Sequence, residues 1–507
     1  MIAGQATQSG TAAYAEKHPA LSYNTFDDTG LHVSQAGFGG YRVDVSIDSH
    51  RQALRHALLN GINLIDTSAN YADGGSEKLV GEVVAELLEQ GELARHAVVV
   101  VSKAGYIQGQ NYQLAQRRQA ENRPFPDVVN YAEGLDHCIH PEFLEDQLTR
   151  SLGRLNMDSL DCYLLHNPEY YLSWAERASI PLDEARREYY RRIELAFRYL
   201  EREVERGRIQ WYGISSNTFP AANEDAQFTS LETAWAIAAA QGTDHHFRVV
   251  QMPMNLLETK AATEKNQSSS LPALDFAREK KLAVLINRPL NAIRDSELTR
   301  LADVPAPNYP ATAEEVSTAV DTSLRIEASF QRDMLPQLSL AAETERQMLE
   351  YLAVSLLLEG RWQGFGTYQN WRDVQYQFVL PRVRSALQFL SNQENLPPEV
   401  ALWRDQYVEA TETTLAAVSA FYQEQGVARA QAIKATAVAA DPAWDADTLS
   451  QTAVRALRST AGVTTVLVGM RLQVYVKDVV AELARPVEVK EREASWVALN
   501  RGLAIGD

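Results

Sequence analysis

Residues 61–81 read GINLIDTSANYADGGSEKLVG, and this stretch decides how the rest of the 507-residue chain is understood. Ile62–Ile65 is a short, mostly apolar run that stops at Asp66. A strand buried in a parallel sheet reads this way where it emerges at its carboxyl end. Small and polar residues follow, then Tyr71, then Asp73-Gly74-Gly75. A helix signature comes next, with Ser76 as N-cap and Glu77 and Lys78 in the first turn. A carboxylate at a strand tip and a phenol five residues on present polar groups at a rim, which suits a site and not a core. Taken alone, an ordinary solvated loop between strand and helix accounts for the stretch equally well.

The same alternation runs along most of the chain. Val33–Gly40 reads as a first main strand, Ala97–Val101 as a strand ending in Ser102-Lys103, and Cys162–Leu165 as one ending in His166-Asn167-Pro168. Ile209–Ile214 leads to Ser215-Ser216-Asn217, Val249–Met254 carries Gln251, and Leu282–Ile286 leads to Asn287-Arg288-Pro289-Leu290. Thr464–Val468 ends in Gly469-Met470-Arg471. Helical stripes separate them, as in Pro141–Leu155 with Leu144, Leu148, Leu152 and Leu155 on one face. Eight apolar strands with polar tips, alternating with helices, predict an α/β fold of the (β/α)8 TIM barrel type. The alternative is an open doubly wound sheet, whose first turn should carry G-x-G-x-x-G; Gly37-Phe38-Gly39-Gly40 does not fit it.

Between strand seven and helix seven the pattern changes. Residues 313–334, 340–362, 371–393 and 399–425 carry helical apolar spacing with few strand signals, which predicts an inserted bundle of about four helices over 295–447. An insertion in that loop is expected to project from the barrel's catalytic face. Trp362, Trp371 and Tyr376 are expected in the bundle core. The chain then divides into a flexible tail (1–20), a first barrel part (21–294), the insertion, and a barrel completion (448–507). Residues 104–139 read as a long irregular stretch.

Composition excludes several classes of function. A formal net charge of −18 argues against nucleic acid or anionic membranes as a partner. No apolar run approaches the roughly 18 residues of a membrane span, and residues 1–18 lack the layout of a secretory signal. The two cysteines, Cys138 and Cys162, cannot form a disulfide framework and suit a reducing compartment, so a cytoplasmic location is expected. His137, Cys138 and His140 lie close in sequence but fit no standard zinc spacing; no metal is expected.

In a barrel, residues at different strand tips converge on one pocket. Asp66 follows strand two, Tyr71 lies in its loop, Lys103 follows strand three and His166 follows strand four. A phenol, with a pKa of about 10, is a poor proton donor and acceptor at neutral pH. An adjacent ammonium is expected to lower that value, Asp66 to keep Lys103 charged, and His166 to polarise a carbonyl. Together they form a proton relay for carbonyl–alcohol chemistry, which needs a hydride partner that side chains cannot supply. The loop aromatics Tyr106, Tyr112, Tyr131, Tyr170, Tyr171 and Trp174 fit either substrate contact or loop anchoring.

The motifs D-T-S-A-N-Y (66–71), S-K-A-G (102–105), L-L-H-N-P (164–168) and G-I-S-S-N (213–217) jointly resemble, in order and at the strand tips, those of the aldo-keto reductase superfamily. The resemblance covers roughly residues 21–293 and 449–483. It implies an extended nicotinamide dinucleotide bound without a Rossmann turn, with Asp66, Tyr71, Lys103 and His166 in the catalytic positions. Ser216, Asn217 and Gln251 match positions that hold the nicotinamide carboxamide, and Gly39 and Gly40 the floor beneath it. Leu290 matches a pyrophosphate-contacting position, and Gly469, Met470 and Arg471 the loop over the adenosine phosphate. Arg471 there implies NADP (NADPH) in preference to NAD, through a planar, permanently charged fork; a solvated loop arginine is the alternative. Gln473 and Lys477 are further candidates. The sequence departs from the family at Asn287, where an aromatic residue often stacks on the nicotinamide, and Arg288 beside it is placed to contact the cofactor. The C-terminal substrate loop is short, and the insertion is expected to replace part of that wall.

The expected function is an NADP(H)-dependent oxidoreductase interconverting an aldehyde, ketone or sugar and an alcohol by hydride transfer, with Tyr71 as general acid and base. The alternatives are a cofactor-binding regulatory or docking subunit with little turnover, and an NAD-linked sugar dehydrogenase.

Overall fold

The computed structural model describes residues 1–294, 297–393 and 395–505. Eight parallel strands close into a barrel in sequential order: β1 (Ala36–Gly39), β2 (Leu64–Asp66), β3 (Val99–Ala104), β4 (Leu160–His166), β5 (Ile209–Ser215), β6 (Phe247–Pro253), β7 (Ala283–Asn287) and β8 (Thr465–Val468). Helices alternate with them, among them α1 (Asp48–Leu59), α2 (Gly75–Glu89), α3 (Pro141–Leu155), α4 (Leu182–Glu205), α5 (Leu231–Ala239), α6 (Ala273–Glu279), α7 (Leu449–Arg458) and α8 (Gln473–Leu483). The strands are apolar on both faces because helices cover the outside and side chains fill the inside. Leu64, Val101, Leu164, Val249, Leu285 and Leu467 meet in that interior.

Register fixes where the polar tips fall. Gly39 pairs with Asp66, Asp66 with Val101 and Lys103 with Leu164. His166 pairs with Ser215, and Ser215 with Gln251, so His166 and Gln251 stand in one row across β4, β5 and β6.

The opposite end of the barrel is closed by the N-terminal residues. A two-stranded hairpin pairs Tyr23–Thr25 with His32–Ser34, and its Phe26, Leu31 and Val33 join the barrel interior together with Ala6. The Ala6 N–H donates to Asp161 Oδ1 (2.7 Å), and Arg95 Nη2 holds the other oxygen of that carboxylate (3.0 Å). Residues 1–20 are therefore not the loose tail that composition suggested. Gln8–Lys17 is a helix capped by Thr7, and Tyr14 donates its hydroxyl to the Leu58 carbonyl oxygen. Val33 belongs to this hairpin and not to β1.

Residues 104–139 are also more regular than expected. Tyr106–Ile107, Val129–Ala132 and Leu135–His137 form a small antiparallel sheet, and Gln110–Ala120 is a helix. Ile107, Phe125, Cys138 and Phe143 bury one another beneath it.

The chain divides into two compact units, one of Met1–Leu301 with Thr436–Asp507 and one of Ala302–Ala435. In the barrel unit a hairpin joins Asn291–Arg294 to Glu297–Arg300, where sequence had suggested the start of the insertion; Asp295 itself lies outside the described residues. The second unit is helical. Ala313–Ser329 opens on a capping box formed by Thr312 and Glu315, and five-residue π-helices at Phe330–Met334 and Gln375–Val379 interrupt the expected longer helices. Pro398–Ala440 is one helix of 43 residues. Trp362 and Trp371 lie in the core of this unit. Tyr376, expected there too, is 61% exposed, because its π-helix turns that position outward.

Candidate active site

The site is built on the β2–α2 connection. β2 delivers a buried Asp66, and the loop reverses through Ala72 (φ 49°) and Asp73 (φ 51°), both in the left-handed region, before Gly74 (φ 88°) opens α2. Such a conformation costs an Ala or Asp about 1–2 kcal/mol each, and neighbours that over-determine it must hold it. The Tyr71 N–H donates to the Ser68 carbonyl oxygen (3.1 Å), and Asp73 Oδ1 accepts the Gln110 N–H (3.1 Å). Tyr71 is thereby turned inward and is 9% exposed.

The four residues singled out from sequence converge. Lys103, fully buried, donates from Nζ to Asp66 Oδ1 (2.6 Å) and to the Thr67 carbonyl oxygen (2.9 Å). Its Nζ lies 5.0 Å from the centre of the Tyr71 ring. The Tyr71 and His166 rings meet edge to face at 5.8 Å. Ser68 Oγ lies 3.0 Å from His166 Nδ1, and His137 Nε2 donates to the His166 carbonyl oxygen (2.7 Å).

The electrostatics differ from the sequence argument in one respect. Burial pushes the Tyr71 phenol well above its usual value, and the Asp66 carboxylate and Tyr41 push the same way, so an adjacent ammonium does not leave the phenol easily ionised. Burial lowers Lys103, opposed by the pairing with Asp66. Burial, then Lys103 and His137, hold His166 well below its ordinary value, so its ring is neutral.

Two of the cofactor-binding candidates, Gln251 and Gly40, touch this centre at Asp66. Gln251 joins it directly: Nε2 donates to Asp66 Oδ1 (2.9 Å) and Oε1 accepts from Ser215 Oγ (3.0 Å). Ser216 is buried just past β5, its N–H on the Gln251 carbonyl oxygen, and Asn217 beside it is exposed. Gly39 and Gly40 end β1. A Cβ on Gly40 would stand 2.7 Å from Ser76 Oγ and 2.9 Å from the Asp66 carbonyl oxygen, so only glycine fits there. Leu290 is half-buried beyond β7.

Arg288 is otherwise engaged. It has φ 51° and donates from Nη2 to Glu258 Oε1 (2.6 Å), while Asn255 Nδ2 bridges Glu258 and the Arg288 carbonyl oxygen. Beyond β8, Gly469 is exposed with open space above it, and Arg471 is half-exposed with no ion pair or hydrogen bond among the described residues. The Met470 side chain is fully buried, which leaves only its main chain for any ligand. Gln473 and Lys477 are exposed on α8.

Several contributors were not singled out. Ser68 sits one residue past Asp66-Thr67, in a motif read for its ends. Glu169, one residue past H-N-P, accepts the Asn217 N–H on Oε1 (2.7 Å) and ties the β4 tip to the β5 tip. Tyr41 meets Tyr71 edge to face at 5.3 Å from the β1 side. Of the loop aromatics, Tyr106 stands against His166 (4.8 Å) and Tyr170 against Tyr106 (5.2 Å), so these two face the centre. Tyr112 belongs instead to the loop core. Among the described residues no group of three His, Cys, Asp or Glu side chains could hold a metal ion. No helix among them is long and apolar enough to cross a membrane.

The family model described as the Aldo/keto reductase family matches residues 36–290. The chain belongs to the aldo/keto reductase family. Among curated members, it is 27% identical over 202 residues to the NADPH-dependent D-xylose reductase of Meyerozyma guilliermondii, covering 38% of this chain and 52% of that one. It is 23% identical over 272 residues to the aldo-keto reductase YhdN of Bacillus subtilis, covering 52% and 61%. The chain thus spans about half the length of the curated relatives it matches. Among solved structures, an aldo/keto reductase from Klebsiella pneumoniae in complex with NADP and acetate aligns with 22% identity and a TM-score of 0.32, over 52% of this chain and 67% of that one. The glycerol dehydrogenase AKR11B4 from Gluconobacter oxydans aligns with 15% identity and a TM-score of 0.43, over 96% and 95%.

Proposed function

We propose that this chain is an NADP(H)-dependent oxidoreductase that interconverts a small aldehyde, ketone or sugar and the corresponding alcohol. The observation that carries the reading is the buried Lys103–Asp66 pair set beside the inward-turned Tyr71 and the neutral His166. The donor set also fits the cofactor: Arg471 on the β8 loop, with no ion pair or hydrogen bond among the described residues, suits a 2′-phosphate, and Ser216 and Gln251 would hold the carboxamide end. When bound, the nicotinamide supplies or accepts the hydride.

The residues of the chain move the proton. Tyr71, neutral because it is buried, gives its phenolic proton to the carbonyl oxygen as negative charge develops there. Lys103 then stabilises the phenolate left behind, so its charge acts in the transition state and not on the resting phenol. Asp66, shared between Lys103 and Gln251, keeps the ammonium charged and aimed. His166 offers a neutral hydrogen bond to the same carbonyl oxygen. In the oxidative direction each step reverses. A cytoplasmic setting fits the two buried, unpaired thiols of Cys138 and Cys162.

The test is Tyr71→Phe, assayed with NADPH on a panel of aldehydes and sugars. Turnover is expected to fall by about 10²–10⁴-fold with the NADPH dissociation constant within about twofold of wild type, since only the proton donor is removed. Wild-type turnover by Tyr71→Phe overturns the assignment. Tight NADPH binding without turnover by the wild-type chain favours the cofactor-sensing role instead.

A further inference from the structure

We infer that Asn287 contacts the cofactor, its side-chain oxygen accepting a hydrogen bond from the nicotinamide nucleoside end of the dinucleotide. The inference rests on the cofactor reading given above. Along β7, Ala283 and Leu285 face the barrel interior, and side chains alternate, so Asn287 faces the same way, at the mouth. The same count leads from Leu64 to Asp66, from Val101 to Lys103, from Leu164 to His166 and from Val249 to Gln251. Register pairs Asn287 with Pro253, one inward step beyond the pair of Leu285 with Gln251.

Asn287 is partly exposed, yet its Oδ1 is buried and has no hydrogen-bond partner among the described residues. Folded chains seldom leave a buried amide oxygen unpaired, because it has given up its bonds to water. The neighbouring strands offer it no side-chain donor. Pro253 is apolar, and the inward positions of β8 are Leu467 and Gly469, the second with open space where a Cβ would stand. Gln251, the inward amide of β6, has its oxygen engaged by the Ser215 hydroxyl (3.0 Å) and one N–H by Asp66 (2.9 Å). Gln251 therefore has an N–H left to donate, and Asn287 supplies the complementary acceptor. A nicotinamide nucleoside carries donors suited to it, the carboxamide N–H groups and the ribose hydroxyls.

The experiment is fluorescence titration of the whole chain with NADPH, with the acetylpyridine analogue of NADP (a methyl group in place of the carboxamide nitrogen) and with adenosine 2′,5′-bisphosphate, which lacks the nicotinamide nucleoside. Asn287→Leu, close in size and without an acceptor, is expected to weaken NADPH by about 3- to 10-fold and to leave the bisphosphate within about twofold of wild type. Asn287→Ala is a second variant with the same expectation, and bisphosphate binding reports that each variant is folded. If the acetylpyridine analogue loses nothing in Asn287→Leu, the donor is the carboxamide; if it weakens as NADPH does, the donor is a ribose hydroxyl. Either result upholds the contact. Unchanged NADPH affinity in both variants, or an equal loss for the bisphosphate, overturns it. A wild-type chain that binds no NADPH refutes the cofactor reading itself, whereas wild-type binding matched by both variants refutes the Asn287 contact alone.

Discussion

Lys103 and Gln251 converge on a single oxygen, with Nζ and Nε2 at 2.6 and 2.9 Å from Asp66 Oδ1. A buried ammonium from β3 and a carboxamide from β6 are thereby held by one carboxylate from β2. Asp66→Asn removes the charge partner of a fully buried cation, and breaking such a pair costs about 3–5 kcal/mol. Urea denaturation should show that loss, together with a large fall in turnover. The double variant Asp66→Leu/Lys103→Met should recover much of the stability and none of the activity, because an apolar pair needs no desolvation.

The raised Tyr71 phenol gives the two reaction directions different pH dependences. Reduction needs the neutral phenol, which is present throughout the neutral range, and His166, held well below its ordinary value, stays uncharged there. The reductive kcat should therefore be level between about pH 6 and 9. Oxidation needs the phenolate and should rise about tenfold per pH unit over the same window. Initial rates in both directions across pH measure this, and Tyr71→Phe should abolish the alkaline rise.

Arg471 is expected to discriminate between cofactors. A charge-assisted hydrogen bond is worth about 1.5–3 kcal/mol, or about 10- to 100-fold in affinity. Arg471→Ala should weaken NADPH by that factor and leave NADH nearly unchanged, as read by fluorescence titration. Equal losses for both cofactors would place Arg471 away from the 2′-phosphate.

Glu169 carries a stability prediction. Burial raises its carboxyl to about 7, against which the hydrogen bonds it receives are too few. The folded state then holds its proton more tightly than the unfolded state, so this group's contribution is full below about pH 4.5 and is lost as pH rises toward 7. Glu169→Gln keeps the acceptor for the Asn217 N–H without the buried charge. It should stabilise the chain at pH 8 by up to about 3 kcal/mol and leave stability unchanged at pH 4. Denaturation midpoints at the two pH values decide the matter.

Sequence revealed the barrel and its tips because each strand ends abruptly: Asp66 after Ile65, Lys103 after Val101-Ser102, His166 after Leu165. That change from apolar to polar survives in one dimension. The small sheet over 106–137 was hidden because its strands are two to four residues long and pair across an intervening helix. Ala6 and Thr11 gave no signal because they are buried by shape and by main-chain bonds, without any apolar stripe. Tyr376 was misread because periodicity assumes a regular helix, and a π-helix shifts the face by one residue. The raised Tyr71 phenol was missed for a related reason: a list of neighbouring charges contains no desolvation. Ser68 is visible in the D-T-S motif, but its partner His166 lies 98 residues away, and only the β2–β4 convergence joins them.

The bond from the Ala6 N–H to Asp161 ties the sixth residue of the chain to the fourth barrel strand. A ribosome delivers the stopper before the vessel it fits. The Ala6 N–H must wait for its carboxylate until more than 150 further residues have followed and β4 has formed. Deleting them would not trim an ornament; it would uncork the interior at the end away from the chemistry, admit water beneath the Leu64 and Leu164 layer, and soften the frame on which Asp66 and His166 stand.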